Sequence, residues 1–589
     1  FLPKRFPRLF RAFVRVKDAL DPECRLNPDA VVSPEMRSLA LRDPAASNLN
    51  SDKSDGDYLA PETDAALRES ALHSRSITRR TPYTLEKLNE YAQIDWLNRP
   101  KRSQLEFQLA WDPTLIYAPT YQCNGCGHCR IRTAETRMCP AFRNAPDEQS
   151  SCRAKANLLR GALDGDLELA TLTRDMARKI AERCLRCHCC ETECPAQVDV
   201  PRLAFRLTSA WRAAAGMGMA ELFAVRANFA LSVATRFAGL TRRALANPGF
   251  RWLLEKTLGI SQGRKLPILE RRSYLSGATR RRANSELLAL APLSGDDGTL
   301  AAEEGSTAPY VITQKKSRRR VALFIDSYAN FFDCRLVDAA IGLLERGGAA
   351  VTVPPRPASS GVVAFAIGDI DRAEEFATRN VSIFRELMRD GSEIVTLEPS
   401  SAVCIKREYP YFCADSDAKF AISNTTDVCS YLARLARAGT LDFESAQPLA
   451  GDRKLTVGYH APCRSIALSG ESVYAATHAQ TLLSRIPNLE VRRLERGCCG
   501  FAGYSGFTKR RFTESLRIGS RVFLAARSSA LDYRASECSF CNLQLAQGTQ
   551  KPVAHVLKLL AVSFGLMPLD EIPLETVAVK KKKQKNNAR

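Results

Sequence analysis

No charge-free apolar run in the 589 residues has the length a bilayer span requires; the most apolar region, 217–254, is interrupted by Arg226, Arg236, Arg242 and Arg243. A transmembrane helix is therefore not expected. No Gly-x-Gly-x-x-Gly fingerprint opens a helix after a strand, so any flavin is expected mostly outside these residues. Acidic residues are in deficit. The 64 Asp and Glu against 85 Lys and Arg leave a formal charge of +21, which suits nucleic acid, anionic lipid or an acidic protein without choosing among them. The basic residues are scattered, apart from Arg280 to Arg282, Lys315 to Arg320 and a tail around Lys580 to Lys585 that reads as solvated. Nothing resembles a nucleic-acid module, and no nucleic-acid partner is expected. The chain begins at Phe1 without an initiator Met and is expected to be a fragment or a processed product, so the lack of a signal peptide carries no weight.

Cysteine, in contrast, is plentiful. The 20 cysteines cluster at short, regular spacings, whereas a secreted disulfide framework would need a short, loop-rich chain. A reducing compartment and a ligand role follow. Composition is otherwise ordinary for a globular protein, 45% hydrophobic and 25% charged, and the length calls for about three or four domains.

The first motif is Cys123-x2-Cys126-x2-Cys129, followed by Cys139-Pro140; the second is Cys184-x2-Cys187-x2-Cys190-x3-Cys194-Pro195. Three thiolates two residues apart wrap three irons of one cubane on a tight loop, and the fourth ligand comes from elsewhere. In two-cluster ferredoxins the Cys before Pro ligates the other cluster. Cys123, Cys126, Cys129 and Cys194 are therefore assigned to one 4Fe-4S cluster, and Cys184, Cys187, Cys190 and Cys139 to a second. Proline after the crossing ligand turns the chain away, while Gly125 and Gly127 let the backbone approach the sulfides. Paired zinc knuckles fit two triplets plus two Cys-Pro poorly. Cys189 lies inside the second motif, but the spacing to Cys194 favours Cys190. His128 and His188 are expected beside ligands rather than as ligands. Cubanes cycle by one electron and hydride chemistry moves two, so a neighbouring flavin is implied.

Around these motifs the periodicity predicts helices at 154–163 and 172–183, then amphipathic helices over 208–260 with Arg on one face. They are read as packing on the cluster domain, with a membrane surface as the alternative. Polar stretches at 33–106 and 265–320 read as linkers. Beyond them the pattern is α/β and internally duplicated: strands at 321–325, 349–353 and 394–397 with helices at 336–346 and 372–389, then strands at 455–459, 489–494 and 531–535 with helices at 477–485 and 512–527.

In the second half Cys463, Cys498-Cys499-Gly500 and Cys538-x2-Cys541 fall at strand ends. Five soft ligands converging there suffice for an iron-sulfur cluster or a zinc ion; an unmetallated buried set is the plain alternative. The matching positions of the first half are Cys334, Ser359-Ser360-Gly361, Ser401 and Cys404. Serine is a poor soft-metal ligand, so that half is expected to be scaffold.

With these residues in hand, the chain resembles the iron-sulfur half of fused FAD-dependent D-2-hydroxyacid dehydrogenases of the D-2-hydroxyglutarate and D-lactate type. The resemblance runs through Cys123-Asn124-Gly125-Cys126-Gly127-His128-Cys129, Met138-Cys139-Pro140, residues 155–163 and Cys184 to Pro195. It continues into Glu398-Pro399, Glu408-Tyr409-Pro410 and His460-Ala461-Pro462-Cys463. It implies a multidomain chain: an α-helical two-cluster ferredoxin-type domain (107–264), a linker, a degenerate α/β Cys-Cys-Gly repeat (321–447), a second such repeat (448–566) and a basic tail (567–589). Val16-Lys17, Leu20-Asp21-Pro22 and Leu26-Asn27-Pro28 resemble the end of an FAD-linked oxidase C-terminal domain, which residues 1–32 would close. FAD and the catalytic residues are then expected on a missing upstream domain, and no catalytic residue is named here. The implied partners are that oxidase domain, fused or separate, and an acceptor such as a quinone, a cytochrome or an electron-transfer flavoprotein. A cytoplasmic location, with peripheral contact at the inner membrane face, goes with them. The alternative is a separate iron-sulfur subunit like those of glycolate oxidase or anaerobic glycerol-3-phosphate dehydrogenase.

Overall fold

The computed structural model describes residues 120–577 apart from 134–137, 164–165, 169–170, 173–174, 277–309, 312–318, 355–356, 470–475 and 495–496. The expected oxidase tail at 1–32, the linker at 33–106 and the Lys580 to Lys585 run lie outside the described residues.

The first part is built from cysteine-bearing loops and the helices Cys152–Leu163, Asp175–Glu182 and Val200–Ala215. Asp199 starts the last of these: its carboxylate accepts from the Arg202 amide at 3.0 Å, and proline stands in the first turn. The core here is small, with Met138, Ala156, Leu159, Leu203, Leu207 and Ala210 packed against Cys129, Cys152 and Cys190. Apolar burial on this scale holds loops weakly, which is the usual setting for a metal contributing to the fold.

Two sheets follow. β1 (Tyr310–Val311), β2 (Arg319–Phe324), β3 (Ala349–Val353), β4 (Ser392–Thr396) and β5 (Thr426–Asp427) lie in the order β1-β3-β2-β4-β5, all parallel except β1 against β3. β6 (Leu455–Tyr459), β7 (Leu489–Arg493), β8 (Tyr533–Ser536) and β9 (Val553–His555) form a parallel sheet ordered β7-β6-β8-β9. The strand that starts each sheet pattern, β2 or β6, thus sits inside, flanked by the next two. Helices cover both faces, which is why Val321, Ala322, Leu323 and Phe324 are all buried and read as a continuous apolar run. One apolar core runs through both sheets, from Val321, Leu343 and Val395 to Val457, Ala535 and Leu560. The two α/β halves are therefore one packed body. Phe205 of the cysteine-bearing part reaches into a second core, 5.3 Å from the Phe365 ring and 6.1 Å from Tyr411.

Three expectations are corrected. The linker read from residue 265 begins instead as a packed strap. The Ser261 amide donates to Phe507 O at 2.9 Å, Leu266 and Leu269 are buried, and Arg264 lies buried over the rings of Phe501 and Phe512 while bonding Gln544. Within the segment itself the Lys265 amide donates to Gln547 Oε1 at 2.6 Å, its ammonium to Ala546 O at 3.1 Å, and the Glu270 amide to Phe331 O at 2.8 Å. The tail from 567 also packs at first: Ile572 is fully buried and the Leu574 amide donates to Val553 O at 2.8 Å. Thirdly, the helices over 219–257 do not bury their large apolar residues. Met219, Phe229, Phe237, Leu240 and Trp252 are exposed, whereas small residues such as Ala224, Val225 and Ala238 face inward.

Candidate functional site

The eight cysteines of the two motifs gather into two sets. One cavity is lined by Cys123, Cys126, Cys129 and Cys194, with Gly127, Arg153 and Val198; a second by Cys139, Cys184, Cys187 and Cys190, with Lys155 and Pro201. Each triplet is thus joined by the cysteine that precedes the other motif's proline. Residues around the first triplet hold its loop by backbone contacts: Arg160 donates to Thr120 O at 2.9 Å and Cys123 O at 2.6 Å, and Arg153 to Gly125 O at 3.3 Å. Gly125 and Gly127 have φ of 77° and 76°, the left-handed conformation a side chain would resist. Arg186 and His188 adopt it too, at 51° and 58°, bracketing Cys187.

What sequence reasoning missed is Cys152. It is buried, lines both cavities, and shares hydrogen bonds with Cys129, Cys139 and Cys190. Those bonds, working against burial, lower the Cys129 and Cys139 thiols to about 6. Its position at the start of the Cys152–Leu163 helix, outside any Cys-x2-Cys, gave no signal. Lys155 is likewise buried, its ammonium donating to the carbonyls of Gln149, Ser150 and Ser151 at 3.1, 3.0 and 2.9 Å. It places a positive charge beside Cys139 and Cys184. Cys189 is buried but lines neither cavity.

His188 does not face a cavity alone. Its Nε2 lies 3.2 Å from Glu408 Oε1, its Nδ1 contacts Glu191, and Arg186 Nε donates to the same Glu408 oxygen at 3.0 Å. Burial works against a charge on Glu408, but the Arg186 guanidinium and then His188 outweigh it and hold the carboxyl well below the usual carboxylate range. This buried cluster ties the second cysteine set to the first α/β half.

The five C-terminal cysteines also meet. All five are free thiols: Cys499 and Cys541 sulfurs are 3.4 Å apart, Cys498 shares hydrogen bonds with Cys463 and Cys499, and Cys538 with Cys541. Hydrogen bonds from Cys498 and Cys541 bring the Cys499 thiol down to about 5. A further ligand-type atom was not foreseen: His460, at the end of β6, has a ring nitrogen within 4.8 Å of the Cys499 and Cys541 sulfurs. Gly500 is required by the backbone, with φ 83° and space so tight that a Cβ would stand 2.2 Å from Ser515 O. The set adjoins the second motif, since Cys187 lies close enough to feel the charges of Cys463 and Cys498.

The matching positions in the first half hold a carboxylate where the second half has sulfur. Asp326 accepts from Ser359 Oγ at 3.2 Å, Ser401 Oγ at 2.8 Å and Ser360 Oγ, and Cys404 Sγ donates to Ser360 O at 3.1 Å. Cys334 stands apart, turned to Arg272 O and Asn330 O. Three hydroxyls committed to one half-buried acid leave no set of donors for a soft metal there.

Comparison with known proteins agrees with this geometry. Residues 122–199 match a 4Fe-4S dicluster domain and residues 457–546 a cysteine-rich domain. An anaerobic glycerol-3-phosphate dehydrogenase subunit from Escherichia coli (strain K12) is 27% identical over 335 residues, 57% of this chain and 74% of that protein. D-2-hydroxyglutarate dehydrogenase of the same organism is 22% identical over 440 residues, 67% of this chain but 39% of its own length. Lactate utilization protein A of Bacillus thuringiensis (strain Al Hakam) is 24% identical over 255 residues, 41% of this chain and 98% of that protein. A 4Fe-4S dicluster domain joined to a cysteine-rich domain, together with the similarity to these dehydrogenases, makes the chain an iron-sulfur electron-transfer component of an oxidoreductase.

Proposed function

We propose that the chain holds two 4Fe-4S clusters, one on Cys123, Cys126, Cys129 and Cys194 and one on Cys139, Cys184, Cys187 and Cys190. They would relay electrons from the flavin of a D-2-hydroxyacid dehydrogenase part to a quinone, cytochrome or flavoprotein acceptor. The observation that carries this reading is the pair of cavities, each ringed by three cysteines of one motif and one from the other. When bound, each cluster takes up and passes on one electron without a proton. The protein's own part is to hold eight thiolates, to exclude water with Met138, Val198 and Val200, and to set positive charge nearby through Lys155 and Arg153. The C-terminal set of Cys463, Cys498, Cys499, Cys538 and Cys541, with His460, suits a further cluster or a zinc ion, and its nearness to Cys187 would put it next in line. The matching strand orders of the two sheets favour a duplicated Cys-Cys-Gly unit whose first copy serves as scaffold.

A second reading has equal support: a stand-alone protein working beside a separate flavoprotein, as the extent of the match to the glycerol-3-phosphate dehydrogenase relative suggests. No helix among the described residues is long and apolar enough to cross a membrane. The exposed Phe229, Phe237, Leu240 and Trp252, beside exposed Arg236 and Arg243, favour peripheral contact at the inner face of a cytoplasmic membrane. Anaerobic purification followed by iron, sulfide and reduced EPR measurement tests the cluster assignment. Colourless protein containing zinc in place of iron would refute it.

A further inference from the structure

Along the Lys509–Ala526 helix runs an open groove whose two sections share Arg517, Ser520 and Arg521. Its guanidinia are those of Arg132, Arg143, Arg517, Arg521 and Arg527, and among the described residues no carboxylate lines it. At one end the wall is formed by Cys498 and by Pro140, the residue after Cys139. Near the other, Leu524 stands 74% exposed. Arg517 and Arg521 are one turn apart and both exposed, a like-charge spacing that costs an isolated helix a few tenths of a kcal/mol. Arg510 and Arg511 on the same helix have carboxylate partners in Glu182 and Glu514, so the positive charge not faced by a lining carboxylate among the described residues lies on the groove side.

We infer that this groove is the docking surface for an acidic one-electron carrier protein, received beside Cys498 of the C-terminal set and Pro140, the neighbour of Cys139 in the second set. The inference rests on the electron-transfer reading above and adds the place and the charge of the partner. An apolar residue ringed by arginines is the anatomy of a small, transient interface, in which the charges guide encounter and one anchor fixes the orientation. A protein is favoured over a nucleic acid because the groove reaches Cys498 and Pro140, beside Cys139, and because Leu524 would have no base-specific role. The exchange balances simply: a reduced cluster loses one electron and the carrier gains it, with no bond made and no proton moved.

The test uses the anaerobic full chain and flavodoxin hydroquinone as an acidic, strongly reducing probe, since docking is the same whichever way the electron moves. Stopped-flow bleaching of the cluster absorbance is followed from about 20 to about 300 mM salt, a range that shortens the screening length several-fold. The wild-type second-order rate is expected to fall steeply with salt. Arg517→Glu/Arg521→Glu is expected to lose at least about tenfold at low salt and most of the salt slope, and Arg517→Lys/Arg521→Lys to retain both. Neutral photoreduced deazariboflavin should bleach all three proteins alike. If wild type is not bleached by deazariboflavin, the cluster reading itself fails. If it is, and the Glu pair keeps the wild-type rate and slope with flavodoxin, the groove is not the docking surface. DNA binding lost in that same variant with an unchanged flavodoxin rate would overturn the inference in favour of nucleic acid.

Discussion

Replacing Glu408 by alanine removes the one carboxylate that Arg186 and His188 share in the interior. Arg186 keeps its guanidinium charge, also near the Phe205 and Phe365 rings, and is left buried without its acid. Stripping one member from a buried ion pair costs about 3–5 kcal/mol, mostly from the charge stranded behind it. For a body of this kind that corresponds to a melting point lower by roughly 10 °C. Glu408→Gln keeps an acceptor oxygen but not the charge and is expected to fall between. The pH dependence has a definite sign. Because the folded carboxyl is held below its ordinary value of 4.5, its stabilisation is complete above that value and is lost as pH falls from there toward the folded one. Melting curves by circular dichroism should therefore show the gap between wild type and Glu408→Ala narrowing as pH falls below about 4.5; above that, the gap should widen as pH falls through the His188 range, because the same carboxylate, with Glu191, favours the His188 imidazolium against burial. A variant that melts within about 1 °C of wild type at pH 7, the behaviour of an exposed salt bridge, would refute the account of this contact.

Other consequences are as direct. Cys187→Ser should roughly halve iron and sulfide while the EPR signal of the other set persists, and unchanged iron would reassign the ligands. Gly500→Ala forces a Cβ to 2.2 Å from Ser515 O at φ 83°; it should cost about 2 kcal/mol or more and empty the C-terminal set, read by metal content against wild type. Asp326→Ala leaves three serine hydroxyls without their acceptor and should lower stability by about 1–3 kcal/mol with no change in iron or sulfide. Lost metal in that variant would mean the first α/β half is more than scaffold.

Cysteine spacing alone paired each triplet with the proline-linked cysteine of the other motif, and the cavities gather the same residues. This is legible because a tight loop offers only three thiolates at two-residue steps, and the chain must cross over for the fourth. Strand β6 and most helices of the α/β region were legible for a similar reason: alternating short apolar runs and 3.6-residue stripes are local signals. Cys152, Asp326, His460 and Arg264 were not. Each acts through partners far away in sequence, as when Arg264 meets Gln544 or Asp326 gathers Ser359, Ser360 and Ser401. The segment after residue 264 looked like linker for the same reason, since its polar residues find their partners only in the folded body. What the sequence determined by itself is the grouping of its cysteines, because soft thiolates at fixed short spacing on tight loops can meet in few arrangements. Only tertiary packing decided how the sets neighbour one another, that Glu408 locks the second onto the first α/β half, and that one core spans both sheets, because long-range contacts leave no periodic trace in the chain.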